Sequence, residues 1–133
     1  MKITADTNLL VRAVTEDDPG QSIAAQTMLR EADVVALTIA ALCELVWVLS
    51  QGYKIRADKI AEAVRRLMNG TNVVVNRRVA EAGLAMLDAG GDFADGVIAY
   101  EGNWLGADVF VSFDKKAVKR LEAQGLSAEL LSG

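Results

Sequence analysis

The sequence predicts an α/β protein, a three-layer α/β/α sandwich with a central, mostly parallel β-sheet. Short apolar segments of strand length alternate along the chain with longer segments of helical character, and this alternation is typical of parallel sheets. The first predicted strand also leads directly into a helix, as in the first β-α unit of such a sheet. The strands are expected near residues 2–5, 34–37, 73–75, 108–112 and 127–131.

Helices fill the intervals between these strands, and local signals predict their boundaries. Pro19-Gly20 is the strongest break in the chain, so the second helix is expected to begin at Ile23 with Ser22 as its N-cap. Thr38 and Asp92 are the expected N-caps of two later helices. The helices are expected near residues 9–14, 23–31, 39–51, 57–68, 77–89, 92–105 and 115–124. Because no repeat or linker interrupts this order, residues 1–133 are expected to form one domain.

The composition excludes several classes of active site. The chain has no histidine and a single cysteine, Cys43, so it cannot build a Ser-His-Asp triad, a Cys-His pair, or a histidine or thiolate zinc site. Its net charge of −4 argues against a general nucleic-acid coat protein, but not against an enzyme that acts on nucleic acid. Any catalysis must therefore use carboxylate, hydroxyl, amide or basic side chains.

The apolar content bears on partners and on location. It reaches 52% in a chain with 24% charged residues, and this excess predicts surface for a partner or a second copy. The longest apolar runs, Ile39–Cys43 and Leu45–Leu49, have five residues each, far fewer than a membrane span needs. The first residues show no secretion signal, and one cysteine cannot form an intrachain disulfide. A cytoplasmic location without membrane contact is expected.

Four acidic residues share one kind of position, at or just after a predicted strand-to-helix junction or at a helix N-terminus. They are Asp6, Glu44, Asp95 and Asp114. In a parallel sheet such ends can converge on one crevice, and crowded carboxylates call for a cation to neutralise them. Oxygen ligands alone favour Mg²⁺ or Mn²⁺. Glu44, surrounded by apolar residues, is expected to face inward toward the other acids rather than bulk water. Simpler interpretations stay open, since Asp6 and Asp92 suit helix caps and Glu44 could lie on a narrow exposed edge.

These acids stand in four short motifs. The motifs are Ala5-Asp6-Thr7-Asn8, the lone Glu44 of the third helix, Asp92-Phe93-Ala94-Asp95 followed by Ile98-Ala99, and Val111-Ser112-Phe113-Asp114. Together they resemble the PIN-domain nucleases and, more narrowly, the VapC-type toxins of bacterial toxin–antitoxin pairs. The resemblance covers nearly the whole chain in order and in spacing. Each motif alone is weak, whereas the set is specific.

The resemblance implies a metal-dependent endoribonuclease that hydrolyses RNA phosphodiester bonds with Mg²⁺ or Mn²⁺. All four acids are implied catalytic and metal-binding residues, with Asp6 and Asp95 as principal ligands and Glu44 and Asp114 completing the pocket. Neighbouring polar residues are expected to orient ligands or water, or in the last case to cap a helix: Thr7, Asn8, Ser112 and Asp92. Basic residues after Asp114 are candidates for holding phosphate: Lys115, Lys116, Lys119 and Arg120.

The resemblance also implies a cognate antitoxin, whose arginine or lysine is expected to compete with Mg²⁺ for the acidic pocket. A homodimer is expected from the sequence itself, because the helix over residues 39–49 is apolar all round except at Glu44. Trp47 and Leu49 are the expected anchors of that interface, since aromatic and aliphatic groups gain most from leaving water.

Two alternatives to an active nuclease follow from the same residues. The chain could be a catalytically inactive PIN-like protein that only binds partners, although all four acids are present. It could instead be a receiver-like domain with a phospho-accepting aspartate. That second interpretation needs an acidic pair at the first strand and a lysine at a late strand end. The chain has the single acid Asp6 and, at the late position, Asp114.

Overall fold

Every strand pairing in the molecule is parallel. The computed structural model describes residues 1–133, and it divides into two units, Met1–Arg77 and Arg78–Gly133. Seven α-helices alternate with five strands in the predicted order, so the α/β class predicted from the sequence is confirmed. None of the helices is both long enough and apolar enough to cross a membrane.

The first unit contains a three-stranded sheet with the second strand in its centre. Its strands are β1 (Lys2–Thr4), β2 (Val34–Ala36) and β3 (Val73–Val74). Its helices are α1 (Thr7–Val14), α2 (Pro19–Glu31), α3 (Ile39–Trp47) and α4 (Ala57–Met68). Val35 is paired on both sides, with Ile3 of β1 and with Val73 of β3, and its side chain is buried. A fully paired central strand rich in valine is what a buried parallel sheet requires.

The second unit contains a two-stranded parallel sheet. Its strands are β4 (Phe110–Ser112) and β5 (Ala128–Leu130). Its helices are α5 (Arg77–Asp88, whose first residue closes the first unit), α6 (Phe93–Trp104) and α7 (Lys115–Ala123). A small apolar core in this unit joins Met86 of α5 to Ala117 and Leu121 of α7, and Phe110 of β4 packs against it.

The start of α2 differs from the sequence-based prediction. The helix begins at Pro19 rather than at Ile23, and Asp18 caps it by accepting a hydrogen bond from the Gln21 amide at 3.1 Å. Proline is well suited to the first position of a helix, because it needs no amide partner there and its φ is already helical. Ser22 is therefore not the N-cap but a buried residue within the helix. Pro19-Gly20 starts a helix instead of breaking one.

The third helix also differs from its prediction, because its α-helical part ends at Trp47 and a π-helical turn, Val48–Gly52, follows. Thr38 caps the start of α3 as predicted, accepting a hydrogen bond from the Ala41 amide at 3.1 Å. The helix is not buried all round. One face, formed by Ala40, Glu44 and Trp47, is exposed to solvent.

Two glycines set the packing of α5 against α6 in the second unit. A Cβ at Gly96 would lie 2.5 Å from the Ala82 carbonyl oxygen and 2.7 Å from the Met86 Cβ. A Cβ at Gly83 would lie 2.6 Å from the ring of Phe93, which is completely buried. All three distances are well inside van der Waals contact, so only glycine permits this approach. The approach fixes the N-terminal turn of α6, which carries Asp92 and Asp95.

Candidate acidic metal site

Asp6 stands at the carboxyl end of β1, where the chain turns into α1. Ala5 is buried, and its amide donates to the Ala36 carbonyl oxygen at 3.3 Å, which extends the pairing with β2 by one residue. Asp6 then caps α1, with its Oδ1 accepting a hydrogen bond from the Leu9 amide at 2.8 Å. The capping role considered from the sequence is therefore real. It does not exclude metal binding, because a carboxylate has two oxygens and about four lone-pair sites.

Thr7 and Asn8 are the first two residues of α1 and follow Asp6 directly. Thr7 is half-buried and Asn8 is exposed, so the two polar side chains differ in their access to solvent. At the N-terminus of a helix, free amides and the helix dipole favour negative charge. This end of α1 can thus accommodate a carboxylate and an approaching anionic substrate.

Glu44 lies in the middle of α3 and its side chain is exposed. We expected it to be turned away from bulk water, and that expectation is wrong. The reason is the helical repeat: Leu42, Leu45 and Val46 cover the buried side of α3, which leaves the stripe containing Glu44 outside. An exposed glutamate carries little desolvation cost, and it is open to a ligand from solvent.

Three acids of the second unit stand at two helix N-termini. Asp92 caps α6, its Oδ1 accepting from the Ala94 amide at 3.1 Å, so its predicted capping role is confirmed. Asp95 lies in the first turn of the same helix. Asp114 caps α7 by accepting from the amides of Lys116 at 2.9 Å and Ala117 at 3.2 Å. Dipoles at both helix ends stabilise the negative charges placed there.

Asp95 is the most perturbed of these acids. Its carboxyl is half-buried, and burial raises its pKa above the ordinary value; the negative charges of Asp92 and then Asp114 raise the pKa further. The structure therefore brings these three carboxylates into electrostatic contact. Like charges that raise the pKa of a neighbouring carboxyl favour a cation nearby.

Ser112 and the basic residues of α7 surround Asp114. The Ser112 Oγ accepts a hydrogen bond from the Asp114 amide at 2.9 Å, which fixes the turn between β4 and α7. Lys115, Lys116 and Lys119 are exposed. Arg120 is different: it is half-buried and lies over the turn at Gly90, where a Cβ would be 3.7 Å from its Nε. The three lysines, rather than Arg120, are thus free to meet a phosphate.

The donor chemistry of the site fits a hard divalent cation. All the candidate ligands are oxygen donors, as Mg²⁺ and Mn²⁺ prefer, and neither histidine nor a cluster of thiols is present. No group of three or more acidic or cysteine side chains is already arranged to chelate an ion.

The chain combines a parallel α/β fold with acidic residues at the N-termini of α1, α6 and α7. The sequence model of the PIN domain family matches residues 3–123, and the chain belongs to this family. PIN domains are generally nucleases that use divalent metal ions and bind RNA. A comparison with curated proteins found no match.

Sequence reasoning did not foresee the surroundings of Glu44. Trp47, which we expected to anchor a dimer, shares the exposed face of α3 with Glu44 and is 66% exposed, whereas Leu49, its expected companion, is only 1% exposed. Leu49 packs inside its own chain and cannot anchor an interface. Positions 40, 44 and 47 are spaced four and three residues apart, as residues on one face of a helix are, and this spacing could have revealed the exposed face of α3.

Proposed function

We propose that this chain is a metal-dependent endoribonuclease and the toxin component of a toxin–antitoxin pair. Its membership of the PIN domain family supports nuclease activity. The observation that carries the proposal is the placement of Asp92, Asp95 and Asp114 at the N-termini of α6 and α7, where burial of Asp95, and then the charges of Asp92 and Asp114, raise the pKa of Asp95. A half-buried carboxylate next to like charges is destabilising for a fold, and a bound cation would relieve that repulsion.

In this proposal Asp6, Glu44, Asp95 and Asp114 hold Mg²⁺ or Mn²⁺, with Asp6 and Asp95 as the principal ligands. When bound, such an ion lowers the pKa of a water molecule and stabilises the leaving oxygen of phosphodiester hydrolysis. Thr7 and Asn8 orient ligands or water beside Asp6. Ser112 holds the turn that positions Asp114, and Asp92 supports Asp95 by capping their common helix.

The chain's own cations hold the substrate. Lys115, Lys116 and Lys119 are exposed on the helix that begins at Asp114, so they can neutralise the phosphates that flank the bond to be cut. We further propose that residues 1–133 act as a single nuclease domain, because the family match includes residues of both units. Cytoplasmic RNA is the proposed substrate, consistent with a chain that has one cysteine and no possible intrachain disulfide.

Two protein partners complete the proposal. A homodimer is supported by the large hydrophobic side chains that the second unit leaves exposed: Ile98, Trp104, Leu105, Val109, Val111, Phe113, Leu126, Leu130 and Leu131. Four of them line one pocket, namely Ile98, Val109, Val111 and Leu126. Contiguous apolar surface of this kind is typical of an interface.

The cognate antitoxin is the second proposed partner. The first unit has an open cavity of about 720 Å³ whose floor is apolar and includes Leu10, Leu29, Val35, Leu37 and Leu67. Arg30 and Arg66 lie at the same cavity. An apolar segment of the antitoxin that carries acidic side chains beside its apolar ones would match both features.

Cleavage of a labelled single-stranded RNA by the purified chain, free of any partner, tests the proposal. We expect cleavage with Mg²⁺ or Mn²⁺ and none in EDTA. Asp95→Asn should remove the activity, whereas Glu101→Gln, an exposed acid on the same helix, should keep it. This pair of variants also excludes a contaminating ribonuclease. If neither metal supports cleavage, the nuclease proposal fails and the inactive partner-binding protein becomes the better interpretation.

A further inference from the structure

The exposed face of α3 places an aromatic side chain next to a candidate site residue. Glu44 and Trp47 are three positions apart on this face, and side chains at that spacing are neighbours with Cβ atoms roughly 5–6 Å apart. Trp47 is 66% exposed although it is one of the largest apolar side chains. An indole is therefore held in solvent one helical turn from a carboxylate of the proposed acidic pocket.

The neighbours of Trp47 along α3 do not form an apolar patch with it. The only other exposed residues of this helix are Ala40 and Glu44, and the large apolar ones, Leu42, Leu45 and Val46, are buried in the chain itself. A protein interface needs a contiguous apolar core, which one indole beside an alanine and a glutamate does not provide. An exposed aromatic side chain next to a candidate acidic residue suits a flat ligand.

The backbone after Trp47 is firmly held in an uncommon conformation. The π-helical turn closes with the Tyr53 amide donating to the Val48 carbonyl oxygen at 3.2 Å. The Tyr53 hydroxyl donates to Asp17 Oδ2 at 2.7 Å, and the exposed Lys54 that follows has a φ of +55°. Single π-helical turns and non-glycine residues in this φ region occur preferentially at functional sites. These contacts fix the end of the helix on which Trp47 stands.

We propose that the indole of Trp47 stacks against an unpaired base of the RNA substrate, one helical turn from Glu44. The inference rests on the proposed nuclease function and adds a contact that selects single-stranded RNA. Proteins that bind single strands combine cations for the backbone with aromatic side chains for the bases. A base within a duplex is already stacked on its neighbours and cannot reach the indole. Trp47 is thus a substrate-binding residue that also positions the strand for cleavage.

Fluorescence tests this contact directly, because the chain has only two tryptophans, Trp47 and Trp104. The parent protein carries Asp95→Asn, which prevents cleavage of the probe, and Trp104→Phe, which makes Trp47 the sole reporter. The probe is a mixed-sequence single-stranded oligoribonucleotide of about 12 nucleotides, in Mg²⁺. We expect the probe to quench Trp47, and the same sequence as a blunt duplex to leave it unquenched. The reciprocal protein with Asp95→Asn and Trp47→Phe should show no quenching of Trp104.

Binding affinity supplies the second readout. In the Asp95→Asn background, Trp47→Ala should raise the half-saturating RNA concentration by about tenfold, as expected for the loss of one base–aromatic stack. Trp47→Phe should keep most of the affinity. Ile23→Ala is the matched control, since Ile23 is 67% exposed in the same unit as Trp47, and it should bind as the parent does. Absence of quenching in the parent, or unchanged affinity of Trp47→Ala, overturns the inference.

Two further outcomes distinguish the stacking inference from the nuclease proposal and from a role of Trp47 in a dimer interface. If the probe quenches Trp47 but the wild-type chain cuts RNA with neither Mg²⁺ nor Mn²⁺, the nuclease proposal fails and the stacking contact stands. If Trp47→Ala cuts RNA with unchanged KM and instead converts a dimer into a monomer in light scattering, Trp47 is an interface residue and the stacking inference is wrong.

Discussion

Three acids of the candidate site also serve the fold as helix caps. Asp6, Asp92 and Asp114 each accept a backbone amide hydrogen bond at the start of a helix. Asparagine caps helices about as well as aspartate, because capping needs only a side-chain oxygen. Metal binding needs the negative charge as well. Conservative substitution therefore separates the structural role of each residue from its proposed chemical role.

Asp6 offers the cleanest test at this scale. We predict that Asp6→Asn keeps the wild-type free energy of unfolding in urea but loses cleavage by roughly 100-fold or more, because the cap stays and a metal ligand goes. Asp6→Ala should lose the activity and also about 1 kcal/mol of stability, since the Leu9 amide then lacks its acceptor. Wild-type cleavage by Asp6→Asn would show that Asp6 is a cap and nothing more.

Replacing Asp95 should raise the stability of the protein, whereas replacing Asp6 by alanine should lower it. Burial, followed by the charges of Asp92 and Asp114, raises its pKa in the folded state above the ordinary value of 3.8. The folded protein therefore holds this proton more tightly than the unfolded chain does, and the contribution of Asp95 to stability falls as the pH rises above 3.8. Without metal, Asp95→Asn should melt at a higher temperature than wild type at pH 7. It should nonetheless be inactive.

The pH dependence of the difference in melting temperature between Asp95→Asn and wild type tests this prediction. The gap in melting temperature between Asp95→Asn and wild type, measured in EDTA, should shrink as the pH falls from 7 towards 4, because the wild-type carboxyl then becomes neutral as well. Added Mg²⁺ should raise the melting temperature of the wild type only. A variant that melts lower than wild type at pH 7 would mean that Asp95 makes a stabilising contact that outweighs the repulsion.

At the scale of elements, the closeness of α5 and α6 depends on glycine. We predict that Gly96→Ala destabilises the protein by about 1–3 kcal/mol, because its Cβ would meet the Ala82 carbonyl oxygen at 2.5 Å and force the helices apart. Cleavage should fall further than stability explains, since Asp95 is the adjacent residue. Urea denaturation and the rate of cleavage at a temperature where the variant is folded measure the two effects.

Gly102 is the matched control for this substitution. It lies on the same helix, and a Cβ there would meet nothing within 4 Å. Gly102→Ala should stabilise the protein by roughly 0.4–1 kcal/mol, because alanine loses less backbone freedom on folding than glycine does. Gly96→Ala should therefore lower the free energy of unfolding, and Gly102→Ala should raise it. Equal effects from both would contradict the close packing of α5 and α6.

For the whole molecule, the exposed apolar side chains of the second unit predict a homodimer. At tens of micromolar, light scattering should give twice the chain mass of 14.2 kDa. Val111→Asp should yield monomers, because a charge in an apolar interface is costly to bury. Val74→Asp is the matched control on an exposed strand position of the first unit and should remain dimeric. A strictly monomeric wild-type chain would remove the physical basis of this prediction.

Inhibition by the antitoxin should respond to ions if a basic antitoxin side chain enters the acidic pocket. An arginine or lysine there competes with the metal for Asp6 and Asp95, so we predict that inhibition weakens as Mg²⁺ is raised. Higher salt should weaken it too, because salt screens the attraction. Cleavage measured at a fixed ratio of antitoxin to chain, over a series of Mg²⁺ and of NaCl concentrations, checks both trends. Inhibition that is independent of both ions would point to occlusion by apolar contacts alone.

Local patterns in the sequence predicted much of the fold. Short apolar runs predicted the positions of all five strands, although only the middle three contain valine. Thr38 and Asp92 were identified as caps, because capping depends on a few neighbouring residues. The start of α2 was misjudged for an equally local reason. Pro19 follows the good cap Asp18, and proline then begins a helix rather than ending one.

Which residues lie at the surface and which lie in the core, by contrast, was decided by the tertiary structure. The run from Ile39 to Leu49 is almost wholly apolar, so its composition could not say which side faces water. Packing within the chain buried Leu49, which removes it as a dimer anchor, and left Glu44 and Trp47 exposed, so that Trp47 is open to a partner or to RNA. The raised pKa of Asp95 likewise depends first on burial, then on Asp92 and on Asp114, which is nineteen positions away in the chain. Sequence determines which residues can carry charge or bury a ring, but electrostatic repulsion and solvent exposure act over distances that only the fold sets.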